Sequence, residues 1–208
     1  MTKKLRLAVL VSGSGRTMQN FIDLSDKGEL PVEVVCCVSS DPKAKGVERA
    51  KNHDIPVETF LRRDYGSTVQ YSDAIYKWIE QYDPDYVALA GYLKLLHIPE
   101  EYENRIINIH PALLPSFGGD HFYGHLVHEA VLKRGCKVSG CSVHFVDKVY
   151  DHGPIIVQRT CPVHAFDTPD DLADRVFEQE LIAFPEALKL IAEGRVEVRD
   201  GKVYIDGK

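Results

Sequence analysis

The chain has 208 residues, 44% of them hydrophobic, and a formal net charge of −6 at neutral pH. That length and apolar fraction suit one compact domain or two closely fused lobes, and an acidic balance without a Lys/Arg stripe speaks against nucleic-acid binding. No apolar run approaches the roughly eighteen residues of a membrane helix, and the cysteines, odd in number and without C-x-x-C spacing, point to reduced, mostly buried thiols.

The opening MTKKLRLAVLVSGSG is basic and then apolar, but its apolar stretch is only Leu7 to Val11. A glycine turn stands where a signal-peptide cleavage site would have to be, so the segment reads as the first strand of a cytoplasmic protein. Strand and helix patterns then alternate. LRLAVLVSG is a strand, and TMQNFIDLSDKGEL a helix closed near Gly28. PVEVVCCVSS is a strand, AKGVERAKNHD a helix, and IPVETF a short strand. YGSTVQYSDAIYKWIEQYD is a helix and DYVALAGY an apolar strand. Such βα alternation with continuously apolar strands predicts a parallel sheet covered by helices on both faces.

After Gly91 the pattern changes. IINIH is a strand, YGHLVHEAVLKRG a helix ending at Gly135, and KVSGCSVHFV and GPIIVQRTCPV are further strands. A long helix starts at Thr168, with Pro169 in its first turn, and Pro185 is expected to kink or break it. The tail RVEVRDGKVYIDG reads as a hairpin around Asp200-Gly201. The expected fold is α/β: a three-layer α/β/α domain with a mostly parallel, Rossmann-like sheet that becomes mixed in its C-terminal half. One domain, 1–208, is expected, with a nucleotide-binding half at 1–100 and a catalytic half at 101–208.

VSGSGRTMQNF places Gly13 and Gly15 between a strand and a helix N-terminus, where backbone N–H groups and the helix dipole favour an anion. Met18 occupies the third glycine position of a dinucleotide fingerprint, and Ser39 and Ser40 stand where an acidic residue would close the second strand. A single phosphate, helped by Arg16 and Thr17, fits better than NAD.

Strand alternation puts Asn108 and His110 on one face, and Pro111 ends the strand there. A carboxamide and an imidazolium side by side are donors for a developing oxyanion. An aspartate on the downstream loop of VHFVDKVYDHGPIIVQ, Asp151, is placed to raise the imidazole pKa and keep it protonated near neutral pH.

NIHPALLPSF, GCSVHFVD and DHGPIIVQ, in that order after VSGSG, resemble the folate-dependent phosphoribosylglycinamide formyltransferase family over nearly the whole chain. The resemblance implies the formyltransferase fold and direct attack of the glycinamide amine on 10-formyltetrahydrofolate as co-substrate. It implies that Asn108, protonated His110 and Asp151 are catalytic, and that Gly15, Arg16 and Thr17 bind the ribonucleotide phosphate. It further implies substrate contacts from Phe177, Glu178, Gln179 and Glu180. Leu93, Lys94, Leu95 and Leu96 would line the folate pocket, with Asn108 and the loop Asp147, Lys148, Val149, Tyr150 and Asp151. Three departures stand out. Arg16-Thr17 replaces the usual Ser-Asn, Thr68 stands where a folate-contacting arginine is usual, and the loop around Gly118 to His128 is long.

The expected partners are therefore small molecules, with no metal, nucleic acid or membrane, for a monomer or homodimer. Formyltetrahydrofolate hydrolase shares the Asn, His and Asp, but usually carries an N-terminal regulatory domain for which a first strand at Leu5 leaves no room. A methionyl-tRNA formyltransferase would need a C-terminal RNA-binding domain and a basic surface. A metal site built on His121, His125 and His128 lacks completing ligands. A non-catalytic nucleotide-binding module would keep the phosphate turn without needing the Asn–His–Asp set.

Overall fold

The structure is a computed structural model that describes residues 4–208; Lys3, in the basic opening, lies outside the described residues. Seven strands form one mostly parallel sheet. They are β1 (Leu5–Val11), β2 (Val32–Ser39), β3 (Val57–Thr59), β4 (Tyr86–Leu89), β5 (Ile106–His110), β6 (Val138–Phe145) and β7 (Ile155–Pro162), in the order β3-β2-β1-β4-β5-β6-β7. The pairs β1–β2, β1–β4 and β2–β3 are parallel. β7 runs antiparallel to β6, which makes the C-terminal half mixed as expected.

The chain divides into two compact units, Met1–Ile107 and Asn108–Lys208. In the first, helices α1 (Arg16–Asp26), α2 (Lys45–Asn52) and α3 (Thr68–Ile79) connect the strands. Leu7 to Val11 of β1 are wholly buried, as are Cys36, Cys37 and Val38 of β2. These apolar runs lack polar alternation because both faces of a parallel strand are covered. Each large aliphatic side chain so buried contributes about 1.5–3 kcal/mol. α3 is shorter than the helical pattern suggests: Ser67 caps it by accepting from Gln70 N, and a 3-10 turn takes over at Glu80–Tyr82.

In the second unit, α4 (His125–Arg134) precedes β6 and α5 (Pro169–Ala192) follows β7. α5 opens with a capping box between Thr168 and Asp171, which satisfies backbone donors that a helix start leaves bare. Of the kink or break expected at Pro185, the break does not occur: α5 runs through it as one 24-residue helix. Pro185 has no N–H to give the preceding turn. Yet Phe184, Ala187, Leu188 and Ile191 around it are buried, and that packing outweighs the lost bond. The hairpin β8 (Val196–Arg199) and β9 (Lys202–Ile205) turns at Asp200 and Gly201, both at positive φ, the conformation a tight hairpin turn demands.

The five cysteines are free thiols, and Cys36, Cys37, Cys141 and Cys161 are buried. Burial pushes the Cys36, Cys37 and Cys141 thiols up to about 12, so they are not nucleophiles. Among the described residues no helix is long and apolar enough to cross a membrane.

Candidate active site

The turn after β1 is built on Gly15, which caps α1 in the left-handed region at φ 67°. A side chain there would also meet Gly46 Cα at 2.6 Å, so glycine is required twice over. No side chain caps α1, and a helix start of this kind is where backbone N–H groups and the helix dipole favour an anion. α2 braces the turn: Gly46 N donates to Gly13 O at 3.1 Å and Arg49 Nε to Ser14 O at 2.9 Å. Arg16 is exposed, whereas Thr17 and Met18 are buried. Met18 is a core residue.

The turn after β4 lies beside it, as the reversal of strand order between β1 and β4 requires. Ser12 N donates to Gly91 O at 3.1 Å and Ser12 Oγ accepts from Leu93 N at 2.9 Å. Leu93, Lys94 and Leu95 are exposed here, while Tyr92 and Leu96 are buried. Two bare leucines at a strand end are apolar surface available to a ligand. Thr68 Oγ1 accepts from Arg62 Nη2 at 3.4 Å.

Asn108, His110 and Asp151 come together in the second unit. Asn108 is half-buried and His110 is only 3% exposed. Asp151 Oδ2 lies 3.4 Å from His110 Nδ1, and Asp151 Oδ1 lies 3.5 Å from Asn108 Nδ2. Gly119 N donates to Asp151 Oδ2 at 3.0 Å. His110 Nε2 lies 2.7 Å from Phe117 O. A carbonyl only accepts, so this nitrogen carries a proton.

The charge on His110 differs from the expectation. Burial is the largest influence and lowers the imidazole pKa; the Asp151 carboxylate and the Phe117 carbonyl raise it, and His144 lowers it further. The net direction is down, so at neutral pH the resting ring is uncharged, with its single proton on Nε2 facing Phe117. The expectation that Asp151 keeps His110 protonated is therefore corrected: desolvation of a ring this buried outweighs one carboxylate at 3.4 Å. For Asp151 burial acts upward, but His144, His110 and the Gly119 N–H act downward and prevail, leaving it a carboxylate.

The fourth member is His144, at the end of β6 and 1% exposed. Its Nε2 lies 3.2 Å from Asn108 Nδ2 and 3.6 Å from Asp151 Oδ1. It had a sequence signal: Ser142-x-His144 ends β6 with the same alternation by which Asn108-x-His110 ends the neighbouring β5. Ser142 serves the scaffold. Its hydroxyl donates to Ala112 O at 2.8 Å and accepts from Leu114 N at 2.9 Å, pinning the segment after Pro111.

Beside the set is an open pocket of ≈ 220 Å³, lined among others by Leu114, Gly118, Val149, Tyr150, Asp151 and Ile155. Val149 and Tyr150 are exposed apolar groups on its rim. Their loop is tied down by Asp147, which accepts from Val149 N at 2.8 Å and faces His152 Nδ1 at 3.0 Å; Lys148 is exposed. Gly153 anchors the loop's far end, since a side chain there would strike Phe145 O at 1.9 Å.

Phe177, Glu178, Gln179 and Glu180 form one turn of α5, so their side chains point around the helix rather than to one site. Glu178 is exposed and Gln179 lies 3.4 Å from Arg159 Nε. Glu180 faces the sheet closely enough to raise the Cys141 thiol, after burial itself. α4 begins only at His125, so His121 is off the helix and pairs with Asp120, while His125 pairs with Asp170 at 3.4 Å. Among the described residues no three His, Cys, Asp or Glu groups are arranged to hold a metal.

Residues 5–188 match the family described as formyl transferase. A phosphoribosylglycinamide formyltransferase of Haemophilus influenzae is 34% identical, over 98% of this chain and 94% of that protein. A trifunctional purine biosynthetic protein adenosine-3 of Gallus gallus is 38% identical over 97% of this chain, which spans 20% of that protein's length. Among solved structures, glycinamide ribonucleotide transformylase 1 of Symbiobacterium toebii superposes with a TM-score of 0.92 at 37% identity, covering 99% of this chain and 95% of that one. With a family match reaching from β1 into α5, and a 34% identical relative matched over 94% of its own length, the chain belongs to the formyl transferase family.

Proposed function

We propose that this chain transfers a formyl group from 10-formyltetrahydrofolate to the amine of 5'-phosphoribosylglycinamide, a step of purine synthesis. The observation that carries the reading is the cluster of Asn108, His110 and Asp151 at a strand end, in a chain alike over nearly its whole length to proteins named for that reaction.

Asn108 is the resident donor for the oxyanion that forms when the amine attacks the formyl carbon, and preorganised donors of this kind are worth about 10²–10³ in rate. His110 is neutral at rest, so it is set to take up a proton. As the C–N bond forms, the attacking amine must lose one, and the leaving nitrogen of the folate must gain one. A proton arriving at His110 Nδ1 finds the Asp151 carboxylate 3.4 Å away, where the new positive charge is stabilised. The Nε2–H now on the Phe117 carbonyl then becomes the second oxyanion donor as that carbonyl gives way. Asp151, through water, relays the proton lost by the amine to the folate nitrogen as the tetrahedral adduct collapses, the bond from the formyl carbon to that nitrogen breaks, and tetrahydrofolate leaves.

Gly15, Arg16 and Thr17 would hold the ribonucleotide phosphate at the uncapped start of α1. Leu93, Lys94, Leu95 and Leu96, with Asp147, Lys148, Val149 and Tyr150, would receive the folate, whose flat ring suits the apolar pocket beside Asp151. Within the turn Phe177, Glu178, Gln179 and Glu180, the half-buried members would serve the substrate. The chain would work as one formyltransferase domain, 1–208, with a nucleotide-binding half (1–100) and a catalytic half (101–208). Its partners would be small molecules, its location the cytoplasm, and its state monomer or homodimer, since one copy supplies the whole Asn108–His110–Asp151 set.

The test is product formation by the purified protein. Formylated ribonucleotide should appear only with both substrates present. Release of formate at a comparable rate without the ribonucleotide would instead mean that the folate is hydrolysed.

A further inference from the structure

His144 has no part in the reaction as just described, yet it is the most deeply buried member of the cluster. Its Nδ1 lies 2.8 Å from the Phe145 carbonyl. That oxygen only accepts, so Nδ1 bears the hydrogen, and in an uncharged ring Nε2 is left with a lone pair. The nearest polar atom to Nε2 is Asn108 Nδ2 at 3.2 Å, a donor. Asp151 Oδ1 lies farther off, at 3.6 Å.

The amide nitrogen of Asn108 has two hydrogens. One is committed to His144 at 3.2 Å; the other meets Asp151 Oδ1 only at 3.5 Å, the outer limit of a hydrogen bond. The second is therefore the hydrogen that a developing oxyanion can claim, and the first fixes the rotation of the carboxamide so that nitrogen rather than oxygen is presented. A doubly protonated His144 would invert this. Its Nε2–H would attract Asn108 Oδ1 and turn the amide around.

We propose that His144 is a positioning residue for formyl transfer, acting through Asn108: an Nδ1–H bond to the Phe145 carbonyl leaves Nε2 as the acceptor that orients the Asn108 amide. The inference rests on the proposed reaction, but the contact itself can be measured without it.

Two experiments decide it. In protein with ¹⁵N-labelled histidine, the ring nitrogens of His144, assigned by loss of their signals in His144→Gln, should report a proton on Nδ1 and none on Nε2 at neutral pH. A doubly protonated ring, or the opposite tautomer, overturns the proposal. In the transfer assay, His144→Leu should lower kcat by about 30-fold or more and leave KM for either substrate within about threefold, the pattern of an interaction made only in the transition state. His144→Gln, which keeps an acceptor near the Nε2 position, should recover most of the loss. The double variant Asn108→Ala/His144→Leu should be no slower than Asn108→Ala alone, because residues acting through one group are not additive. Additive losses, or a His144→Gln as slow as His144→Leu, overturn the proposal. If His144→Leu does not fold, His144→Gln and the ring signals still decide. If the unaltered protein transfers no formyl group, the reaction assignment has failed, while the ring signals still judge the contact.

Discussion

His110 Nδ1 stands 3.4 Å from Asp151 Oδ2, and the two influence each other in opposite senses to burial: Asp151 raises the His110 pKa that burial lowers, and His110 lowers the Asp151 pKa that burial raises. His110 ends below its ordinary value of 6.5 and Asp151 below 3.8. The activity should therefore be on a plateau at neutral pH and fall on an acid limb below pH 6.5, where the resting His110 takes up a proton. Asp151→Asn removes the charge that raises the imidazole pKa, so the residual activity should show its acid limb displaced to lower pH. A kcat/KM profile for each protein checks the direction, and an acid limb displaced upward contradicts it.

His128 provides a stability test. It is 5% exposed, its Nδ1 has no hydrogen-bond partner among the described residues, and burial, followed by His125 and His110, lowers its pKa from 6.5 to about 4. A depressed pKa gives stability that is complete above the unfolded value and is lost as pH falls toward the folded one. The window is thus pH 6.5 down to about 4, and the loss amounts to roughly 3 kcal/mol at about 1.4 kcal/mol per tenfold. His110 acts in the same direction. Denaturant unfolding across this range should show the fall, and His128→Leu, which removes an unpaired buried polar atom, should flatten it at little cost.

Gly15 should tolerate no side chain. Gly15→Ala combines a left-handed φ of 67° with a Cβ 2.6 Å from Gly46 Cα, which is backbone and cannot rotate aside. A loss of about 1–3 kcal/mol in stability is expected. KM for the ribonucleotide should rise about tenfold or more, as removal of a binding contact does, with KM for the folate near normal. Equal changes in both would place the phosphate elsewhere.

Ser142 ties the segment after Pro111 to β6 and β7, because its buried hydroxyl also accepts from Gln158 Nε2 at 2.8 Å. Ser142→Ala strands the Leu114 N–H and removes the donor to Ala112 O, while the Gln158 amide keeps its bond to Leu114 O at 3.0 Å; the loss should cost about 1–3 kcal/mol in unfolding free energy. Turnover should drop with it, since the same segment carries Phe117 to His110. A fully stable Ser142→Ala would show that the segment is held by other contacts.

Much of this was legible in the sequence because it is local. Two-residue alternation placed Asn108 and His110 on one face, Pro111 ended the strand, and Thr168-Pro169 marked the start of α5. What escaped is set by packing at a distance. Pro185 is a helix breaker by its own chemistry, but the buried side chains around it decide otherwise. The charge on His110 depends on how completely other elements exclude water, which spacing does not encode. His144 was visible as a second polar-x-His strand ending, but its meaning depends on β6 lying beside β5.

The most direct test of the account is the turnover of His110→Ala in the two-substrate transfer assay, with circular dichroism and unfolding used to verify that the variant is folded. The account predicts a kcat at least about 100-fold lower, the usual loss when a proton-transfer group is removed. A folded His110→Ala that turns over at nearly the normal rate would contradict it.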